Sequence, residues 1–210
     1  MNIRFLSDLH WLHDNVLAFD GRPFINVHQM YEYMKEEWND VVEDDDLTYL
    51  LGDVCWSRDP EVVANLLKPL KGRLRLITGN HDEFLRNAEI KKRFEVIRPY
   101  DEISIELAGK KHHIVLSHYP YYSWRNMQGI GKQREDAWIH LHGHVHMTKE
   151  YFNYLKSLDE LNPKDYSPLK AYNVGAMCPW IYYQPKTLEE IITGFDKWYK
   201  KEKVLELANK

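Results

Sequence analysis

The stretch Leu47–Asp53 (LTYLLGD) is an apolar run that stops abruptly at a glycine and an aspartate. A short apolar run closed by a turn signal is typical of a strand that is buried on both faces. The same arrangement recurs at Ile3–Ser7, which precedes Asp8, and at Leu74–Thr78, which precedes Gly79. Because the carboxyl ends of parallel strands meet along one side of a sheet, we predict that the polar residues after these runs lie together.

Helical segments separate these strands. Asn26 is placed to cap a helix whose apolar residues recur at helical spacing as far as Val42. Asp59, followed by Pro60, opens a second helix, and a third is predicted over Phe84–Arg93. The alternation of strands and helices favours a parallel sheet with helices packed on it.

The second half of the chain is richer in strand. Its predicted strands are Glu102–Leu107, His112–Ser117, Trp138–His142 and Ala171–Ala176. The first two form a hairpin that turns at Gly109, and Thr187 with Glu190 forms a capping box for a closing helix. We predict an α/β sandwich of two sheets with helices outside, built as a single domain over residues 1–210. Residues 147–170 are predicted to be an insertion, and its role stays open between a lid, an oligomer contact and a surface helix.

The composition excludes several classes of protein. The chain has 210 residues, 44% of them apolar, which is enough for one domain with a sizeable core. The formal charge of −4 and the lack of a dense basic run argue against strong nucleic-acid binding. Cys55 and Cys178 make no disulfide framework, and no apolar run is long enough for a signal peptide or a membrane span. We therefore expect a cytoplasmic protein with no membrane partner.

Candidate metal ligands follow five of the predicted strands. They are Asp8, His10, Asp53, Asn80, His118, His144 and His146. All are nitrogen or oxygen donors, a set that suits Mn, Fe or Zn and differs from a cysteine-type structural zinc site. One four-coordinate ion does not need seven ligands, but two ions do if one carboxylate bridges them. We therefore predict two divalent ions as cofactors, Mn²⁺ first, with Fe or Zn as alternatives.

The two histidines after Gly143 stand one residue apart. On extended backbone, the imidazoles of His144 and His146 point the same way, with Cα atoms about 6 to 7 Å apart. Gly143 is expected to remove side-chain bulk where the chain comes close to another segment. A solvated or hydrogen-bonded strand end is the alternative for this pair taken alone.

The motifs occur in a fixed order along the chain. They read Asp8-Leu9-His10, Gly52-Asp53, Gly79-Asn80-His81-Asp82, His118 and Gly143-His144-Val145-His146. This series resembles that of the calcineurin-like metallophosphoesterases, and the segments 22–24, 116–120 and 141–144 resemble those of small bacterial and phage members. The resemblance implies a metallo-dependent phosphatase-like fold, which is a four-layer αββα sandwich of two mixed β-sheets flanked by helices, with a di-metal site at its edge.

The resemblance also implies roles for these residues. One ion would be held by Asp8, His10, Asp53 and His146. The other would be held by Asp53, Asn80, His118 and His144, so that Asp53 bridges the two. His81 and Asp82 are the predicted catalytic residues. His81 would steady the phosphoryl oxygens or protonate the leaving oxygen, and Asp82 would orient His81 and keep it protonated.

Further side chains are candidates for contact with the substrate. His13 and Asn15 are placed either to line the mouth of the site or to make local hydrogen bonds, and His142 is placed to support His144. The candidates for stacking on a base are Trp11, Tyr119, Tyr121, Tyr122 and Trp124, with core packing as the alternative. The candidates for binding phosphate are Arg125, Lys132 and Arg134, with a solvated loop as the alternative.

Two hypotheses for function follow. The first is a di-metal-dependent phosphoesterase that hydrolyses a phosphomonoester or phosphodiester by attack of a metal-bridging hydroxide. The second is a catalytically inactive metal-binding scaffold for protein interaction. The intact set of ligands and His81 favour the enzyme, because loss of catalysis normally removes such residues. The expected partner is a small phosphorylated substrate, with a nucleotide among the choices.

Overall fold

The computed structural model describes residues 1–128, 137–161 and 170–208, with side chains as far as residue 202. Its strands are β1 (Ile3–Leu6), β2 (Leu47–Leu50), β3 (Arg73–Ile77), β4 (Phe94–Arg98), β5 (Tyr100–Leu107), β6 (Lys110–Ser117), β7 (Ile139–His142), β8 (Ala171–Asn173) and β9 (Lys186–Thr187). Its helices are α1 (Asp14–Phe19), α2 (Val27–Val41), α3 (Pro60–Leu67), α4 (Ala88–Lys91), α5 (Lys149–Glu160) and α6 (Leu188–Ala208). Lys132 and Arg134, two of the predicted phosphate-binding residues, lie outside the described residues.

The first sheet has the strand order β4-β3-β2-β1-β9. Strands β1 to β4 run parallel, and β9 pairs antiparallel with β1. The register places Leu6 opposite Leu50 and Leu50 opposite Leu76. The three central strands therefore end level with one another, and the residues that follow them start from the same side of the sheet.

The second sheet has the order β5-β6-β7-β8. The hairpin β5–β6 is antiparallel, whereas β6, β7 and β8 run parallel. The two sheets meet at Ser7, whose backbone N–H donates to Val174 O at 2.8 Å and whose carbonyl accepts from Ala176 N at 2.8 Å. Both sheets are mixed and are flanked by helices, so the predicted α/β architecture is confirmed.

The core is continuous from sheet to helix. Helix α2 begins at the predicted cap, where the Asn26 side chain accepts from Gln29 N at 2.9 Å. Its buried face is formed by Val27, Met30, Met34 and Trp38. The indole of Trp38 also donates to Lys71 O at 3.0 Å, which satisfies its polar edge while the ring stays buried. These contacts anchor α2 to the core and to the segment that precedes β3.

One helix prediction was wrong, and three elements were not predicted. The helix predicted over Phe84–Arg93 is a 3-10 turn at Glu83–Arg86 followed by the short α4, because Asn87 has extended backbone and caps α4 through Glu89 N at 2.8 Å. Strand β4, which follows α4, was not predicted. The polar loop expected after His10 contains helix α1, and β9 precedes the closing helix.

The segment predicted as an insertion contains helix α5. This helix packs Tyr151, Tyr154 and Leu158 against the core and leaves Phe152 on the outer side. Among the described residues, no helix combines the length and the apolar character needed to cross a membrane.

Candidate metal centre

The structure gathers six of the predicted ligands into two groups at the carboxyl ends of the strands. Asp8, His10 and His146 form the first group, and Asp53, His118 and His144 form the second. Within each group the candidate ligand atoms lie within 4.8 Å of one another. Backbone hydrogen bonds align the loops, because Asp8 N donates to Gly52 O at 3.0 Å and His10 N donates to Asp53 O at 2.9 Å.

The first group has the spacing of ligands around one ion. His10 Nε2 lies 3.6 Å from Asp53 Oδ2 and 4.0 Å from Asp8 Oδ1, and His146 Nε2 lies 3.7 Å from Asp8 Oδ1. Atoms that each lie about 2.1 Å from one ion are roughly 3 to 4 Å apart, which these distances match. His10 Nε2 is buried and has no hydrogen-bond partner. A buried nitrogen without a partner is costly, and a metal ion supplies the missing partner.

The second group shares a carboxylate with the first. Asp53 Oδ2 lies 3.4 Å from His118 Nε2, compared with 3.6 Å from His10 Nε2. The Asn80 side-chain oxygen lies 3.1 Å from His118 Nε2, so the seventh predicted ligand adjoins this group. The residues present therefore fit two divalent ions with Asp53 between them.

The backbone at these residues is unusual. Asp8, His10, Asp53, His144 and His146 have φ angles of 55°, 51°, 55°, 69° and 47°. Residues other than glycine rarely adopt this left-handed region, and such outliers concentrate at functional sites. The extended backbone expected for the two final histidines is therefore wrong. Strand β7 ends at His142, and the turn that follows sends His144 and His146 to different groups.

Two glycines permit the close approach of these loops. A Cβ atom on Gly143 would overlap the Ser7 hydroxyl and the Asp8 carboxylate. A Cβ atom on Gly79 would overlap the Asp53 carboxylate and lie 2.5 Å from Asp53 N. Each glycine thus removes bulk at the point where one motif contacts the carboxylate of another.

Asp20 and Arg22 hold two members of the first group in place. Asp20 Oδ1 lies 2.7 Å from His146 Nδ1, and its Oδ2 accepts from Arg22 Nε at 2.9 Å. The buried guanidinium of Arg22 also donates to Asp8 O and Leu9 O, each at 2.8 Å. A carboxylate on one ring nitrogen fixes the tautomer, so that the other nitrogen is free to bind a metal. The sequence did not single out Asp20, because no motif spacing connects it to His146.

The electrostatics of the ligands follow from burial and from their neighbours. Burial and then the nearby His146 lower the pKa of His10 to about 2, which keeps this imidazole in the neutral form that binds metals. Burial raises the pKa of Asp53, but the combined effect of His118, the His81 backbone N–H and His10 outweighs burial and lowers that pKa to about 2. Burial lowers the pKa of His118, but the hydrogen bond with Asp53, the charges of Asp8 and Asp53 and the contact with Leu51 O together outweigh burial and raise that pKa to about 9.

Asp82 has a different role from the one predicted. Its Oδ1 accepts from Val54 N at 2.9 Å, and its Oδ2 accepts from Gly79 N at 2.7 Å and Asp53 N at 3.2 Å. No hydrogen bond joins its carboxylate to the His81 ring. The prediction that Asp82 orients His81 was wrong, because the buried carboxylate is fully engaged by the backbone of two ligand-bearing loops. Asp82 holds those loops together.

His81 lies beside both groups but belongs to neither. Its backbone N–H donates to Asp53 Oδ1 at 2.8 Å, and its ring centroid lies 5.8 Å from that of His10. On its other side, the ring lies 4.4 Å from the exposed indole of Trp56. Trp56 was not identified from the sequence, because a single tryptophan in a loop has no periodicity or spacing that marks it.

Of the remaining candidates for contact with the substrate, some are buried in the core and others lie near the candidate metal centre. Trp11 and Trp124 are buried, so the alternative of core packing holds for these two. Tyr119 is exposed, and its ring lies 4.4 Å from that of His144. The His13 ring stacks on Trp56 at 4.1 Å, which places it at the mouth of the site. Arg125 instead pairs with Glu102 at 2.8 Å.

The family assignment rests on a match over most of the chain. A family model described as "Calcineurin-like phosphoesterase superfamily domain" matches residues 1–187. The chain belongs to the calcineurin-like phosphoesterase superfamily. This superfamily is metal-dependent, which agrees with the two groups of ligand atoms in the structure.

Proteins similar to this chain occur in an archaeon, in phages and in a bacterium. An uncharacterized protein of Methanocaldococcus jannaschii, MJ1445, is 33% identical over 196 residues, which cover 93% of this chain and 92% of that protein. The Gene 66 protein of Mycobacterium phage L5 is 29% identical over 161 residues, which cover 69% of this chain and 77% of that protein. The solved structure of AQ665, a protein of unknown function from Aquifex aeolicus, matches with a TM-score of 0.63 at 24% identity, covering 91% of this chain and 98% of the other. This last likeness supports the fold alone.

Proposed function

We propose that this protein is a di-metal-dependent phosphoesterase that hydrolyses a phosphomonoester or phosphodiester by direct attack of an activated water on phosphorus. The observation that carries the proposal is the shared carboxylate. Asp53 Oδ2 lies 3.6 Å from His10 Nε2 in one direction and 3.4 Å from His118 Nε2 in the other. This arrangement suits two cations that share a ligand, whereas a site for one ion does not need a carboxylate between two histidines.

The proposed ligands divide as the two groups do. Asp8, His10, Asp53 and His146 hold one ion, and Asp53, Asn80, His118 and His144 hold the other. When bound, a pair of divalent ions lowers the pKa of water so that hydroxide forms near neutral pH, and it neutralises charge on the phosphoryl oxygens. Nitrogen and oxygen donors without thiolate suit Mn²⁺, with Fe or Zn as alternatives.

His81 is the proposed general acid. Its backbone is fixed to Asp53, and its ring faces the space between His10 and Trp56. From there the imidazole is placed to steady a phosphoryl oxygen or to donate a proton to the leaving oxygen. This role no longer depends on Asp82, whose carboxylate is engaged elsewhere.

The nearest serines support attack by water and not by a side chain. The Ser7 hydroxyl donates to Leu51 O at 2.7 Å, and the Ser117 hydroxyl donates to Tyr119 O at 2.7 Å. Both cysteines are buried, and burial raises the pKa of the Cys55 thiol to about 12. Ser117 Oγ also lies 2.8 Å from His140 Nε2, but all four groups are buried, so none of them is accessible to a phosphoryl group.

The proposal is tested by assaying the Mn-loaded protein with p-nitrophenyl phosphate and with its bis-ester. We expect turnover of at least one ester, its loss after chelation, and its return when Mn²⁺ is restored. Elemental analysis of the same sample should give two ions per chain. A protein that holds two ions and hydrolyses neither these esters nor a panel of nucleotides and sugar phosphates would be a metal-binding scaffold, and the proposal would fail.

A further inference from the structure

A cleft opens beside the candidate metal centre. Its volume is about 480 Å³, which is within the range of small-molecule sites. It is lined by Trp56, Ser57, Arg58, Asp59, His81 and Glu83. Because the His81 backbone donates to Asp53, the cleft begins at a residue that contacts the shared ligand. When the phosphoryl group of a molecule lies at the metal centre, the rest of that molecule can therefore lie in this cleft.

The indole of Trp56 forms an exposed aromatic surface in the cleft. The residue is 47% exposed, although its ring packs against two neighbours. The His13 ring stacks on it with centroids 4.1 Å apart and planes at 9°, and the His81 ring lies 4.4 Å away. The backbone is fixed as well, because Trp56 N donates to Trp11 O at 2.8 Å. The indole is thus held in place before any ligand arrives, which lowers the entropic cost of stacking on it.

The charges that line the cleft indicate which chemical groups of a ligand it can bind. Arg58 is paired with Glu83, and the carboxylate of Asp59 accepts from Glu61 N at the start of α3. The lining therefore has two carboxylates and one guanidinium that is already paired. Such a wall gives no electrostatic attraction to a second phosphate group. The charges of the lining therefore favour an uncharged group, and the indole of Trp56 favours a flat one.

We propose that this cleft is a subsite for an uncharged aromatic group of the substrate, such as a nucleoside base, and that Trp56 stacks on it. The inference rests on the proposed function for the position of the phosphoryl group. Trp56 is then a specificity-determining residue, because an indole face stacks on any planar ring without reading its hydrogen-bonding edge.

The test is a calorimetric titration of the Mn-loaded protein with two ligands that cannot be hydrolysed. They are the phosphonate analogues of adenosine monophosphate and of ribose phosphate, in which a methylene group replaces the ester oxygen. We expect the adenosine ligand to bind about 5- to 100-fold more tightly than the ribose ligand, the range that stacking of one base supplies. An adenosine analogue with a further phosphate on the ribose should bind no more tightly than the first ligand.

Variants assign this preference to one side chain. Trp56→Ala should remove the preference for adenosine while leaving the affinity for the ribose ligand unchanged, and Trp56→Phe should keep most of the preference. The matched control is Phe152→Ala on α5, because Phe152 is 46% exposed and its ring contacts Tyr151 and Trp198, away from the cleft. This control should bind both ligands as the wild type does.

The outcomes separate this inference from the proposed function. Equal affinity of the wild type for the two ligands, or an undiminished preference in Trp56→Ala, would overturn the subsite even if esters are hydrolysed. A preference that depends on Trp56 would support the subsite even if no ester is hydrolysed, in which case only the proposed function would fail.

Discussion

Nδ1 of His146 lies 2.7 Å from Oδ1 of Asp20, a residue 126 positions earlier in the chain. The Asp20 side chain is 2% exposed, and its second oxygen accepts from the buried Arg22. Burial lowers the pKa of His146, but the hydrogen bond with Asp20 and the negative charges of Asp8 and Asp20 together outweigh burial and raise that pKa. The pair fixes which nitrogen of His146 faces Asp8, and it therefore determines whether the first group of ligands is ready to bind an ion.

Asp20→Asn should weaken one metal site and leave the other in place. If the NH₂ group of the new amide faces Arg22, the hydrogen bond with Arg22 is lost. If it faces His146, it donates to Nδ1 and so favours the tautomer with the proton on Nε2, the nitrogen that should bind the metal. We expect the affinity for one ion to fall by about 10- to 100-fold, as is usual when a partner behind a histidine ligand is removed. Calorimetric titration with Mn²⁺ should resolve the weakened site. The control is Asp40→Asn on the exposed side of α2, and an unchanged pair of affinities in Asp20→Asn would contradict the assignment.

Asp53→Asn should lose both ions. The carboxylate is the shared neighbour of His10 and His118, and an amide offers one neutral oxygen in place of two charged ones. We expect hydrolysis to fall to background and elemental analysis to show loss of metal from both sites. An active variant with two ions still bound would rule out the di-metal arrangement.

His81→Ala should keep both ions but slow the chemistry. The ring belongs to neither ligand group, so metal content should match that of the wild type. We expect kcat to fall by about 10²- to 10⁴-fold, the usual range for a positioned acid–base group. Esters with good leaving groups need little protonation and should lose less. A uniform loss across a series of leaving groups would restrict His81 to steadying the phosphoryl oxygens.

The stereochemistry at phosphorus shows whether water attacks phosphorus directly or after a covalent intermediate has formed. The hydroxyls of Ser7 and Ser117 donate to backbone carbonyls, so we expect neither to accept the phosphoryl group in a covalent intermediate. We expect a chiral thiophosphate ester to react with a single inversion, and solvent oxygen to enter the product after one turnover. Net retention, or a phosphorylated peptide after a rapid quench, would require a covalent step.

Asp82→Ala should destabilise the protein. The substitution leaves three backbone N–H groups, those of Asp53, Val54 and Gly79, without their acceptor. Each buried donor without a partner costs about 1 to 3 kcal/mol, so we expect a clear fall in Tm. Asp82→Asn keeps an acceptor for some of these donors and should lie between Asp82→Ala and the wild type. A Tm equal to that of the wild type in Asp82→Ala would refute the structural role.

The sequence was sufficient for features that depend on neighbours in the chain. Apolar runs such as Leu47–Leu51 predicted the central strands, because a strand buried on both faces needs apolar residues throughout. Asn26 and Asp59 predicted helix starts, because a cap acts within three residues. The order of the strand-end motifs also named the seven candidate ligands and the family. The helix predicted over Phe84–Arg93 failed because Asn87 starts a new cap in the middle of the pattern.

Only the tertiary structure decided how distant residues meet. Asp20 behind His146, Asp82 between two loops and Trp56 beside His81 are contacts that no local pattern encodes. The left-handed backbone of His144 and His146 was also hidden, because intrinsic preference disfavours it and the packing of neighbouring loops imposes it. Periodicity reports which side of an element is buried, whereas the partner of a buried polar group depends on how loops from separate strands pack together.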